Sequence, residues 1–551
     1  MAMAPVPTSE SRKNSDSQTK QNQTFAGDQD NYRNEAKVWL ALSIAGAILG
    51  LSAPGHDQWF LAWFGLIPLF LAVFNARSVP EAFHRGLHFG FSYTLVYNIC
   101  ILQFTTDVWP ETIGPYISFA NPVVWILIAL QQGALYGTLC SVVKWMPLTS
   151  KLLPEKKYKE TESGKPNWML PALYMIPLAW CLIFNKLGNS WGSLGFTWGL
   201  LEYTQYNQKA LIQIASWVGG IGIGALIVAA NVALTSLIVS FSDKKEKFTG
   251  NFSTSRYSSI ASLGLVLVLV SSSFAFGLGR LNDAPSLEAK APHETVSVLQ
   301  GNILFDANAP DPQEFFRKYL KLAEQSPPGI CVWPEWAIPE SVTKMKADFL
   351  RLGYYSKKLN QDWVVGCLDS DEQERVYNSA CGVDRKGTLY PEVYHKRFLV
   401  PFGEYTPAWI LHSPFGVLCG TLTPRREGYS PGDKQTILEL SGHKIGPVLC
   451  CEMAAPELTT EASRKGAQLL VDCSNTSWFD PELVGKQCIA ASIFRAVETH
   501  RCFVFSTTLG PSAVINAEGI IVGSTEPRTY STVSRRIPLY SDMTPFALWF
   551  R

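Results

Sequence analysis

Three short stretches in the second half of the chain carry side chains that could do covalent chemistry together. The run Ile445–Leu449 is apolar and β-prone and stops at Cys450, with Cys451, Glu452 and then Pro456-Glu457 following. A thiol where a strand turns into a helix sits on a sharp bend, with the next backbone N–H aimed at the carbonyl it attacks. The strand-like Ile330–Trp333 leads into Pro334-Glu335, and Val393-Tyr394-His395 leads into Lys396, with Glu404 eight residues on. An acid, an ammonium and a thiol at three successive strand ends suit acyl transfer. The carboxylate takes the thiol proton; the ammonium lowers the thiol pKa and, with a backbone N–H, holds an oxyanion. Each piece alone has an ordinary reading. Paired cysteines pack as small hydrophobes, a Glu after Pro usually opens a surface helix, and a lone Lys is usually solvated.

Positioning these groups requires strands. Runs at Thr295–Gln300, Ile330–Trp333, Trp363–Cys367, Ser379–Val383, Ile445–Leu449, Leu469–Cys473 and Cys502–Thr507 read as strands. Pro312–Gln325 reads as an amphipathic helix and Val484–Arg501 as a long one. This alternation predicts a layered α/β domain. The cysteines contain no C-x-x-C spacing, so no zinc or redox motif is expected. Cys100, Cys140 and Cys181 read as packing residues; Cys331, Cys367, Cys381, Cys419, Cys473, Cys488 and Cys502 could pair in an oxidising compartment. His395 is expected to shape the strand beside Lys396 rather than to bind metal.

The first half has a different composition. The chain has 551 residues and a net charge of +1, which makes no case for a nucleic-acid partner. Met1–Glu35 is polar and is expected to be a disordered tail without a cleavable signal peptide. Apolar runs follow at Val38–Ala53, Trp59–Phe74, Leu87–Phe104, Pro122–Val143, Trp168–Phe184, Ile212–Val239 and Ile260–Leu278. Most approach the length that crosses a bilayer, which predicts about seven spans. Lys and Arg gather in alternate loops, at Arg77 and Arg85, then Lys144, Lys151, Lys156, Lys157 and Lys159, then Lys244, Lys245, Lys247 and Arg256. With those loops cytoplasmic, an odd number of crossings leaves everything after Leu278 outside. Asn185–Asn207 is an aromatic, Gly-rich outer loop that suits the membrane interface or a mouth for lipid entry. The expected boundaries are a tail at 1–35, a transmembrane helical domain at 36–280, a connector at 281–294, a catalytic domain at 295–540, and a C-terminal end at 541–551.

The three stretches resemble the nitrilase superfamily, which carries its Glu in a P-E segment, its Lys in Y-x-K and its Cys in C-Y-D/E-x-x-x-P-E. Here these stand as Trp333-Pro334-Glu335, Tyr394-His395-Lys396 and Cys450-Cys451-Glu452-Met453-Ala454-Ala455-Pro456-Glu457. With the apolar half in front, the chain from Lys37 onward resembles the apolipoprotein N-acyltransferases, membrane-embedded members of that superfamily. The phrases from His395 to Pro407, Tyr377-Asn378-Ser379, Ser474-Asn475-Thr476-Ser477-Trp478-Phe479 and Arg495 to Arg501 match that family's as well.

The resemblance implies a polytopic α-helical membrane domain plus an extracytoplasmic α/β nitrilase-like domain, an α-β-β-α sandwich. It implies Glu335, Lys396 and Cys450 as the catalytic triad and Glu404 as a further essential acid, with Asn378 and Glu452 in support. Cys451 stands where the family usually has Tyr, so it is the other candidate thiol; the Pro456-Glu457 match favours Cys450. No cofactor or metal is expected. The implied acyl donor is a membrane phospholipid, and the acceptor is the α-amine of a diacylglyceryl-modified apolipoprotein. A monomer is expected, multi-pass in the inner or plasma membrane, with its catalytic domain on the periplasmic side. The family closes with a last span, whereas Pro545–Arg551 is too short to cross a bilayer. Rival readings are a membrane-tethered amidase, in which water resolves the acyl-enzyme, and a non-catalytic lipid- or lipoprotein-binding protein.

Overall fold

A computed structural model describes residues 35–103, 114–146, 171–187, 198–242, 256–303, 312–341, 346–401, 403–413, 428–479 and 481–550. The expected tail up to residue 34, the lysines of the loops at 151–159 and 244–247, Cys419, and the outer-loop residues 191–196 lie outside them; Glu35, expected as the end of the tail, opens the first helix.

The described part of each apolar run is largely helical. The helices are α1 (35–50), a 3-10 turn Trp59–Trp63 leading to α2 (Ile67–Phe74), α3 (Val79–Tyr97), α4 (Gly114–Trp145), α5 (Pro171–Trp180), the short α6 (Lys209–Ile212), α7 (Ala215–Phe241) and α8 (Arg256–Glu288). Among the described residues, three helical stretches are long and apolar enough to cross a membrane: Asn121–Trp145, Ala215–Phe241 and Arg256–Glu288. The run Trp59–Phe74 is not one continuous helix. Its break leaves backbone groups unpaired within apolar surroundings, and Asn231 of α7 satisfies them: Oδ1 accepts the Leu66 N–H at 2.9 Å and Nδ2 donates to Ala62 O at 2.8 Å. The stretch expected as a connector differs too. α8 runs on to Glu288 and the first strand begins at His293, because the polar residues after Leu278 are compatible with helix on its exposed side.

The second half is built on two sheets. One has the order β13-β1-β2-β4-β5-β6, with β3 on β4; the other has the order β12-β11-β10-β9-β8-β7. In the first, β1 (His293–Gln300), β2 (Gly329–Val332) and β4 (Gln361–Ser370) run parallel; β3 is Ile338–Ser341, β5 Val376–Val383 and β6 Tyr394–His395. In the second, β8 (His443–Leu449), β9 (Leu469–Ser474) and β10 (Cys502–Thr507) run parallel, flanked by β7 (Leu438–Leu440), β11 (Ala513–Ile515) and β12 (Ile521–Ser524). The last strand, β13 (Ser531–Pro538), returns to pair antiparallel with β1. Parallel strands buried on both faces read as continuous apolar runs, which is why all six of these are visible in the sequence; the antiparallel β5, buried along most of its length, is visible there too.

Val296, Val298, Val332 and Val364 of one sheet meet Ile445, Leu449, Val471 and Val504 of the other. α9 (Pro312–Gln325) and α10 (Lys346–Leu359) cover the outer face of the first sheet. After the single turn α11 (Ala408–Leu411), α12 (Pro456–Arg464) and α13 (Pro481–Thr499) cover the second. The result is the four-layer α-β-β-α arrangement.

The second α layer also packs on the helical half. Gln487 Nε2 donates to Tyr97 O at 2.9 Å, Gln213 Nε2 to Glu518 O at 2.9 Å, and Lys209 Nζ to Gly519 O at 2.8 Å. α14 (Pro545–Trp549) folds back here, and Trp549 Nε1 donates to Trp217 O.

One glycine decides how near β2's exit lies to β4. A Cβ on Gly366 would stand 2.2 Å from Pro334 O and 2.7 Å from Glu335 Cα, so only Gly lets that turn sit on the strand. Gly366→Ala should therefore destabilise the protein by about 1–3 kcal/mol through overpacking. Thermal unfolding in detergent measures this, and a variant as stable as the wild type would contradict the contact.

Candidate active site

Three strand ends converge on one spot. β2 ends at Val332 and the chain turns at Pro334-Glu335, with the Glu335 N–H on Ser474 O of β9 at 3.3 Å. β6 pairs with β5, and Lys396 follows directly, its N–H on Asn378 O at 2.8 Å. β8 ends at Leu449 and gives way to a 3-10 turn, Cys450–Ala454. Cys450 takes the left-handed φ of 54°, a strained value for a residue with a Cβ, and this swings its thiol off the strand axis.

The polar groups interlock. Lys396 Nζ lies 2.9 Å from the Glu404 carboxylate and 3.5 Å from Glu335 Oε1. Asn378 Nδ2 donates to both acids, at 2.6 Å to Glu335 and 2.8 Å to Glu404. The second Glu404 oxygen accepts the Val400 N–H at 2.7 Å. The Cys450 thiol lies near enough to Glu335 and Lys396 for both charges to act on its proton, Glu335 opposing and Lys396 favouring its loss. Glu335, Lys396, Glu404 and Asn378 are buried, whereas Cys450 and Cys451 are only half-buried. Of this group only the two cysteines are partly exposed.

Glu452 acts as a staple. Its carboxylate accepts the N–H groups of Leu449, Arg397 and Phe398 and the Tyr394 hydroxyl, so it ties the Cys450 turn to the segment that carries Lys396. Cys451 Sγ contacts Phe398 O at 3.5 Å, and its thiol is pushed up to about 12, chiefly by burial. His395 stacks on Tyr377 at 4.2 Å and meets Asp369 at 3.0 Å, which matches its expected role in shaping the strand. Every described cysteine is a free thiol.

Two features escaped the sequence reading. Asp472 of β9, fully buried, accepts the Cys450 N–H on Oδ1 at 2.8 Å, and its Oδ2 has no hydrogen-bond partner among the described residues. The available signal was a single acid inside the apolar run Leu469-Leu470-Val471-Asp472-Cys473. Beside Glu335, the rings of Trp336, Tyr429 and Trp478 form an aromatic rim, with centroids 6.0 and 6.4 Å from Trp336.

The electrostatics correct one expectation. Burial opposes the Lys396 charge, but Glu404, then Cys451, Glu335 and Cys450, hold its pKa well above the usual value, so it stays protonated. Burial raises the Glu335 pKa, with Lys396 working against the shift. The Cys450 thiol, expected to be low, stands well above its usual range: burial and the Glu335 charge outweigh the pull of Lys396. The environment as a whole therefore favours the protonated form of the Cys450 thiol.

The signs follow from that balance. Removing the Glu335 charge should lower the midpoint of Cys450 alkylation against pH, and removing Lys396 should raise it. Iodoacetamide labelling, read by peptide mass spectrometry, should therefore give a midpoint order of Glu335→Gln below wild type and Lys396→Met above it; the reverse order would contradict this balance. Asp472→Asn keeps an acceptor for the Cys450 N–H and should be stable. Asp472→Leu leaves that N–H unpaired and should cost about 1–3 kcal/mol in denaturant unfolding. Equal stability of the two variants would remove Asp472 from the turn's support.

The comparisons with known proteins agree with this division. Residues 45–233 match the family described as Apolipoprotein N-acyltransferase N-terminal domain, and residues 295–541 match Carbon-nitrogen hydrolase. The apolipoprotein N-acyltransferase of Geobacter metallireducens is 30% identical over 498 residues, covering 88% of this chain and 87% of the relative. That of Shewanella oneidensis is 26% identical over 522 residues (92% and 90%), and that of Synechocystis is 26% identical over 499 (86% and 89%). Matched along nearly its whole length, through both the helical and the hydrolase-like half, the chain belongs to the apolipoprotein N-acyltransferase family.

Proposed function

We propose that the chain moves a fatty acyl group from a membrane phospholipid to the α-amine of a diacylglyceryl-cysteine at a lipoprotein N-terminus, in two steps through a thioester on Cys450. The observation that carries this is the partly exposed Cys450 at the end of β8, set beside the buried cluster of Glu335, Lys396 and Glu404.

Glu335 takes the thiol proton as sulfur attacks the ester carbonyl. The oxyanion forms against Lys396 Nζ and the Cys451 N–H, since the Cys450 N–H is already bonded to Asp472. Collapse breaks the C–O bond, the lysophospholipid alkoxide takes the proton back from Glu335, and the thioester remains. The amine then attacks the thioester and gives a proton to Glu335; as the C–S bond breaks, Glu335 returns that proton to the departing sulfur, which leaves the amide and the free thiol. Glu404 and Asn378 hold Lys396 and Glu335 in place. Phe398 and Val400, exposed beside the site, offer apolar surface to an acyl chain, and the packed helical half accounts for substrates that live in a bilayer. A multi-pass arrangement with the catalytic half on the periplasmic side is part of this reading, supported by the distribution of Lys and Arg.

Incubation of the full chain with phospholipid vesicles, followed by intact mass spectrometry, tests the first step. A fatty-acyl adduct should form on Cys450, persist in Cys451→Ala and vanish in Cys450→Ala. Glu335→Gln should slow its formation by about 10²–10⁴-fold. An adduct that survives Cys450→Ala, or none in the wild type, would overturn the assignment.

A further inference from the structure

Buried charges also sit where the two halves of the chain meet, apart from the reacting atoms. α7 is interrupted at Gly219, with φ 68° and ψ 173°, where an added Cβ would lie 2.4 Å from Phe546 Cε2. The helix restarts at Gly220, whose freed N–H donates to Glu498 Oε1 at 2.7 Å. A carboxylate suits such a restart, because it meets unpaired N–H groups at the positive end of the helix dipole. Glu498 is in turn paired with Arg495: Nη2 donates to Oε1 at 2.9 Å, and Nε lies 2.8 Å from Oε2. Arg495 Nη1 then donates to Ala454 O at 3.2 Å. Ala454 is the last residue of the 3-10 turn whose first residue is Cys450.

A short polar path thus runs from the broken helix, through Glu498 and Arg495, to the nucleophile's turn. Tyr203 from the helical half lines, with Glu202, Gly220 and Arg495, a small cavity that marks the seam. Arg495 is 2% exposed and Glu498 1%. Two apolar side chains of similar volume would often serve stability as well as a buried ion pair does. What apolar residues could not supply is the directional grip on Gly220 N–H at one end and Ala454 C=O at the other.

We propose that Arg495 and Glu498 are positioning residues that hold the Cys450 turn in register with α7, so that the thiol meets an acyl chain presented by the helical half. This rests on the acyl-transfer reading above. The test uses two acyl donors on the full chain: phospholipid in vesicles, and a short-chain p-nitrophenyl ester that reaches the thiol from water. The paired variant Arg495→Met with Glu498→Leu avoids an orphaned buried charge. It should lose about a hundredfold in Cys450 acylation from phospholipid, yet stay within about threefold of wild type with the soluble ester, as a misplaced but intact site would. Arg495→Met with Glu498→Gln, which keeps an acceptor for Gly220 N–H without orphaning the Arg495 charge, should recover part of the phospholipid rate. Equal loss with both donors, or no loss with either, overturns the proposal. A wild type acylated by the ester but never by phospholipid would remove the acyl-transfer reading itself, and this inference with it.

Discussion

Lys396 carries a positive charge almost out of water, and two carboxylates share it. Neither acid could sit in that interior alone, since an unpaired buried carboxylate would take up a proton or force the site open. With Glu404 at 2.9 Å, Glu335 at 3.5 Å and Asn378 bridging the acids, the three-charge group is stable only as a unit. The arrangement leaves one more negative charge than positive, and that surplus falls beside the thiol. Burial and that surplus together hold the Cys450 thiol well above its usual range.

The rest of the catalytic half serves this geometry. Parallel strands in two facing sheets bring the ends of β2 and β8 to one edge, and the antiparallel β5–β6 pair delivers Lys396 to the same edge. Glu452 and Asp472 then fix the Cys450 turn from opposite sides, through Leu449 N–H and Cys450 N–H. Local backbone strain at Cys450 persists because those bonds over-determine it.

Much of this was legible in the residues. Buried parallel strands are continuous apolar runs, so β1, β2, β4, β8, β9 and β10 stood out, and the residues at their ends marked the site. The edge strands were harder. β13 is Ser531-Thr532-Val533-Ser534-Arg535-Arg536-Ile537-Pro538, and its pairing with β1 comes from more than two hundred residues away, which no local pattern reveals. The helix continuing to Glu288 was hidden by polar residues that solvate one side of it. Asp472 was hidden for the opposite reason, a lone acid inside a core strand whose partner is a backbone group. The direction of the thiol's pKa needed three dimensions as well, because it depends on how much water the fold removes around Cys450 and how near Glu335 comes. Spacing suggested only that Lys396 would help.

The central claim is that the Cys450 thiol becomes a thioester meant for an amine rather than for water. A single-turnover chase tests it most directly: enzyme carrying a labelled fatty acyl group on Cys450 is isolated and mixed with a diacylglyceryl-cysteine peptide, and the label is followed. Transfer to the peptide α-amine should outrun release of free fatty acid. Release of free fatty acid at the same rate with or without the peptide, and no acylated peptide, would contradict the account.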